Sequence, residues 1–143
     1  MNCIVYPDGK VTILNCYRTH NYDTGVNKLF CTPLCDTTIE SIEGYNEDCW
    51  VRIDDWGCVE YEDYRIHVGD GGMGNEGFIA CSDVNGELVW GMFFDMTNPF
   101  KAAEVFGRTL IAINEHSTLE AEINLDDITK IKMTYVDPNY RSG

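Results

Sequence analysis

Apolar and polar residues alternate with a period of two along most of this chain, the pattern of strands that cover a core with one face. Val59 and Tyr61 alternate with Glu60 and Glu62, and Tyr64, Ile66 and Val68 with Arg65 and His67. Leu119, Ala121 and Ile123 alternate with Glu120, Glu122 and Asn124, and Ile131, Met133 and Tyr135 with Lys130, Lys132 and Thr134. Turn residues separate the runs. Asp8-Gly9 divides Cys3-Ile4-Val5-Tyr6 from Val11-Thr12-Ile13-Leu14-Asn15-Cys16-Tyr17. Asn85-Gly86 divides Phe78-Ile79-Ala80-Cys81-Ser82 from the apolar run that ends at Phe93-Phe94. Both read as hairpins, because these dipeptides accept the positive φ that tight hairpin turns require. Thr109-Leu110-Ile111-Ala112-Ile113 likewise turns through residues 114–117. Val51 and Ile53 alternate with Trp50 and Arg52, and Asp54-Asp55-Trp56-Gly57 reads as the turn that follows.

The remaining segments are less regular. Residues 18–35 have no clean period and read as a long connection. Residues 36–47 predict a short helix capped at Asp36 or Thr38 and ended by Gly44. A glycine-rich loop covers 69–77, and Lys101-Ala102-Ala103-Glu104-Val105-Phe106 suggests a helical turn limited by Pro99 and Gly107. No repeat or linker divides the chain, so 1–143 reads as a single domain with a polar tail from about residue 137. The expected fold is mainly β: an antiparallel β-sandwich or partly open barrel of about eight to ten strands, with at most one or two short helices.

Composition sharpens this picture. The chain has 143 residues, 44% hydrophobic and 24% charged, enough to bury a core without metal or disulfide. Its 24 acidic against 10 basic residues give a formal net charge of −14. Such a surface repels phosphate backbones and anionic lipids and attracts basic proteins, so neither nucleic acid nor membrane is an expected partner. The seven cysteines are odd in number and lack CxxC spacing, and Cys31 and Cys35 read as two partly buried thiols. No secretory signal and no apolar run of about 18 residues is visible. Free thiols in a reducing cytoplasm are the expectation.

The candidate chemistry is sparse. Gly69-Asp70-Gly71-Gly72-Met73-Gly74 matches G-x-G-x-x-G. A phosphate cradle needs that run to open a helix, whereas here a strand follows and Asp70 and Glu76 oppose phosphate. His20, His67 and His116 fall in a loop, on a polar strand face and in a turn, with no local nucleophile signature nearby. His67 reads as a solvent-facing strand residue. Zinc and EF-hand spacings are missing, so no metal or cofactor is expected. Asp54 and Asp55 are adjacent and would point to opposite faces, a poor acid pair for glycoside hydrolysis. A protein without enzymatic activity is the resulting expectation.

What stands out is clustering. Ten acidic residues lie between Asp36 and Asp63 against one base, Arg52, interleaved with Tyr45, Trp50, Trp56, Tyr61 and Tyr64. Carboxylates beside aromatics suit an arginine- and lysine-rich partner, with salt bridges at the rim and cation–π anchors inside.

The run Gly71-Gly72-Met73-Gly74-Asn75-Glu76-Gly77-Phe78-Ile79, then Leu88-Val89-Trp90-Gly91-Met92-Phe93-Phe94-Asp95, then Asn98-Pro99-Phe100 resembles small bacterial immunity proteins of contact-dependent growth inhibition and other polymorphic toxin systems. The resemblance covers roughly residues 65–136 and transfers no contact residue. It implies a cytoplasmic inhibitor of one toxin domain, often a basic nuclease. The charge pattern, taken separately, nominates Asp54, Asp55, Glu60, Glu62 and Asp63 as contacts for a basic toxin domain, with Trp56 as anchor and Asp70 and Glu76 as a second set. The alternative is a small-ligand or carbohydrate-binding domain using Trp50, Trp56 and Trp90 in a sheet groove.

Overall fold

A computed structural model describes residues 2–20, 26–45, 53–72 and 74–136. Along the chain run β1 (Cys3–Val5), β2 (Lys10–His20), β3 (Val26–Thr38), α1 (Ile39–Tyr45), β4 (Asp54–Tyr61), β5 (Tyr64–Asp70), β6 (Gly77–Ser82), β7 (Leu88–Phe94), β8 (Phe100–Phe106), β9 (Thr109–Asn114), β10 (Leu119–Asn124) and β11 (Ile131–Val136). The eleven strands form one sheet in the order β4-β5-β6-β7-β1-β2-β3-β11-β10-β9-β8, and every paired neighbour is antiparallel. The last strand, β8, returns against β4 and β5. The sheet is thus nearly closed as a barrel, with one strand more than the eight to ten the sequence suggested.

The alternation has a direct structural meaning. Val68, Ile79, Met92 and Ile4 stand side by side across four strands, all fully buried. Leu29, Met133, Ala121, Ala112 and Ala103 form a second inward row on the other side. Large side chains from both rows and the three alanines of the second together fill the interior, where burial stabilises by about 25 cal/mol per Å² of apolar surface.

Where the two edge strands meet, both are irregular. β4 shifts register between Asp55 and Gly57, and β8 between Phe100 and Ala102. A Cβ added to Gly57 would lie 3.1 Å from the Lys101 carbonyl oxygen. Bulges at this level bend each edge and end its pairing, which keeps open edges from templating aggregation. At one end of this seam Arg108 ties three turns together. Its Nη1 donates to Glu62 Oε1 at 2.9 Å and its Nε to Asp126 Oδ1 at 2.8 Å, with the guanidinium 5.5 Å from the Tyr61 ring centroid.

Several local expectations are corrected. The segment read as a long connection supplies the end of β2 and most of β3, where Cys16 pairs with Cys31 and Tyr17 with Phe30. Its period is hidden because Tyr17 and Phe30 stack with ring centroids 5.6 Å apart, and because a register shift beside Pro33 interrupts the pattern. Residues 54–57 are not a turn but the bulged start of β4; the turn falls at Glu62-Asp63, between the paired Tyr61 and Tyr64. Aspartates and a glycine mark an edge bulge here as readily as a turn. Residues 101–106 are β-strand, not helix, since pairing with β9 overrides their alanine content.

The glycine loop is shorter than expected, because Gly69 ends up inside β5 and Gly77 opens β6. A Cβ on Gly69 would fall 1.9 Å from the Asp54 carbonyl oxygen, so only glycine lets the β4 bulge lie this close. The short helix is present, and Thr38 caps it by accepting the Ser41 N–H at 3.1 Å. The strand expected before Ile53 lies outside the described residues.

Candidate functional site

Strands β4, β5 and β6 lie side by side, and their outward side chains frame a groove of about 700 Å³. Asp55, Glu60, Glu62 and Asp63 from β4 and its turn line it, facing Asp83 across the floor. Ile53, Tyr64, Val84 and Leu88 supply apolar walls, and all four are exposed. Arg65 is the one lysine or arginine among the lining residues, and its guanidinium reaches Glu60 at 3.4 Å. Pairing that long and that exposed neutralises little of the local charge.

Glu62 sits at φ +52° in a two-residue hairpin turn where glycine is the ordinary occupant. Holding a glutamate in the left-handed region costs about 1 kcal/mol. The Arg108 bridge offsets that strain and fixes the carboxylate at the groove rim.

The structure divides the sequence-derived set. It gathers Asp55, Glu60, Glu62 and Asp63 around one groove. Asp54 and Trp56 are exposed on the β4 bulge but do not line that groove. Asp70 is engaged locally: its carboxylate accepts the Gly72 N–H at 2.8 Å and the Gly74 N–H at 3.2 Å, which shapes the loop. Glu76 is half-buried in that loop, with its carbonyl accepting the Gly71 N–H.

The wider acidic run is also split. Asp36 lies on β3, with five strands between it and β4, and there accepts the buried Thr12 hydroxyl at 2.8 Å. Glu47 and Asp48 lie outside the described residues. The tryptophans do not share a surface either: Trp90 is buried in the core, Trp56 is exposed, and Trp50 lies outside the described residues.

The groove floor holds an arrangement that the sequence reading missed. His67, on β5, is half-buried between Asp55 and Ser82, with its Nδ1 2.8 Å from Asp55 Oδ2 and its Nε2 3.1 Å from Ser82 Oγ. An ionised carboxylate only accepts, so Nδ1 carries the proton. In the neutral ring Nε2 then accepts from the Ser82 hydroxyl. The other oxygen of Asp55 accepts the Gly57 N–H at 3.2 Å, locking the carboxylate's orientation. The sequence signal was thin: an outward histidine, and a serine fifteen positions later across one hairpin.

The thiols are unpaired among the described residues. Cys58 stands opposite His67 in the ladder, and desolvation, more than the nearby carboxylates, pushes its thiol above the ordinary value. No group of three or more His, Cys, Asp or Glu residues suited to a metal ion occurs among the described residues. No helix there is long and apolar enough to cross a membrane. Compared with known protein families, curated proteins and solved structures, the chain matches none, so its functional reading rests on its own residues.

Proposed function

We propose that the β4–β5–β6 face binds a cationic protein partner, and that the chain acts as an inhibitor without needing a cofactor. The observation that carries this reading is the groove itself, where five carboxylates line one surface against Arg65 within it and Arg108 at its rim. Exposed Tyr64 and Ile53 lie among those carboxylates, giving apolar footing for the stems of arginine and lysine side chains. An acidic face of this kind accelerates encounter with a basic surface and makes association salt-sensitive.

The concrete form of the proposal is immunity. The partner is a basic toxin domain, a nuclease by preference, whose phosphate-binding groove the carboxylates occupy in place of substrate. The reading places the chain in the cytoplasm, where such a toxin would act.

The test measures association of this chain with basic nuclease toxin domains, beginning with any whose toxicity its co-expression suppresses. The double variant Glu60→Lys with Asp63→Lys should slow association at least tenfold at low salt and flatten its salt dependence. Unchanged rates and an unchanged salt slope would move the interface to another face.

A further inference from the structure

We infer that Asp55, His67 and Ser82 form a proton relay that makes Ser82 a nucleophile, giving this face an acyl-transfer activity toward small uncharged esters. This stands apart from the binding proposal and from the sequence expectation of a non-enzyme. It rests on connectivity that strand pairing alone does not produce. The ladder sets His67 opposite Cys58 and Ala80, and Ser82 opposite Arg65. The relay instead runs diagonally over three strands, and Asp55 reaches His67 from beside the β4 bulge. Each member has the partner its role requires. The carboxylate holds the Nδ1 proton at 2.8 Å, which leaves Nε2 free to take a proton from Ser82 Oγ at 3.1 Å. Among the described residues the other acceptor within reach of that hydroxyl, the Arg65 carbonyl, is at 3.5 Å.

Two further features complete the site. Arg65 and Ser82 are direct cross-strand neighbours, so their side chains leave the same face a few ångströms apart. The guanidinium, lightly held by Glu60, is the cation that can meet an oxyanion forming beside Ser82. The groove lies in the size range of small-molecule sites. Its carboxylates repel anionic substrates, while Ile53, Tyr64, Val84 and Leu88 receive a short acyl chain.

In the reaction, Ser82 Oγ attacks the ester carbonyl carbon as its proton passes to His67 Nε2. The bond to the leaving oxygen breaks, and that oxygen departs as the alcohol carrying the His67 proton. Water then attacks the acyl-serine, giving a proton to His67 and its hydroxyl to the acyl group. The carboxylic acid leaves, and Ser82 recovers its proton from His67. The sum is ester plus water giving acid plus alcohol. Ser82, His67 and Arg65 are the catalytic residues, and Asp55 is a positioning residue.

The experiment exposes the full chain to a fluorophosphonate probe, maps the adduct by mass spectrometry, and follows hydrolysis of p-nitrophenyl butyrate. We expect one adduct at Ser82, none in Ser82→Ala, and labelling slowed roughly a hundredfold in His67→Gln. Circular dichroism of each variant verifies that it is folded. Asp55→Asn should lower the labelling rate at saturating probe without changing the half-saturating probe concentration, because the amide no longer fixes the Nδ1 proton. Arg65→Ala should lower kcat with little change in KM.

Turnover retained in Cys58→Ala supports the serine; its loss would transfer the chemistry to the neighbouring thiol and overturn the assignment. Absence of a Ser82 adduct in folded protein, or equal labelling rates in wild type, His67→Gln and Asp55→Asn, would overturn the relay. Neither result bears on partner association, which the lysine variants of Glu60 and Asp63 read separately.

Discussion

At the scale of single residues, Asn114 shows how one buried amide can hold a barrel end together. It is 1% exposed, at the end of β9. Its Nδ2 donates to the Thr97 carbonyl and to Thr118 Oγ1, both at 3.0 Å, while its Oδ1 accepts the Thr118 and Leu119 N–H groups. Replacement by alanine leaves several backbone groups buried without partners. Asn114→Ala should therefore cost roughly 2–4 kcal/mol, measurable as a drop in the denaturation midpoint with an unchanged m-value. Asn114 stands in an Asn-Glu-His-Ser run, so the sequence announced a turn. It could not announce the bond to Thr97, because that depends on how the chain before β8 is threaded.

Elements differ in how far their own residues specify them. The Asp8-Gly9 and Asn85-Gly86 hairpins formed where expected, because their turn chemistry is local: Gly9 and Gly86 take φ +91° and +78°. Asp8 and Asp83 each accept a backbone N–H two residues on. The strands β10 and β11 were equally legible, since one face is buried and the other wet. Of the edge strands, only the second half of β4 was. The charges and glycine of β4 and the alanines of β8 match turn and helix preferences, and only the closing of the sheet decides against them.

Site legibility follows the same division. Glu60, Glu62 and Asp63 were readable as charge, while the meeting of Asp55, His67 and Ser82 depends on a bulge and on the register of three strands. Gly69 controls both. Gly69→Ala places a methyl group on the Asp54 carbonyl and close to the Trp56 amide, which should push β4 off β5. The expected result is a loss of a few kcal/mol and faster amide exchange in residues 54–59 than in β10 and β11.

For the molecule as a whole, the interior is apolar and thiols are part of it. Cys3 and Cys81 are buried, and desolvation raises each thiol to about 11 from an ordinary value of 9.0. A raised acid pKa means that folding favours the neutral thiol. Its contribution is fully present below about pH 9 and is lost as pH rises toward 11. Unfolding midpoints should fall over that window, and Cys81→Ala should shallow the fall relative to wild type.

The Arg108 tie has a kinetic consequence. It joins turns belonging to opposite edges of the sheet, and Glu62 and Arg108 are 46 positions apart. That distance can close only after β4–β7 and β8–β11 have each assembled and the sheet has curled back on itself. The tie therefore belongs to the last stage of folding, beyond the transition state, where φ-values approach zero. Arg108→Ala should leave the refolding limb of the chevron where it is and raise the unfolding limb. The barrel would form as fast as before and hold itself shut for less time.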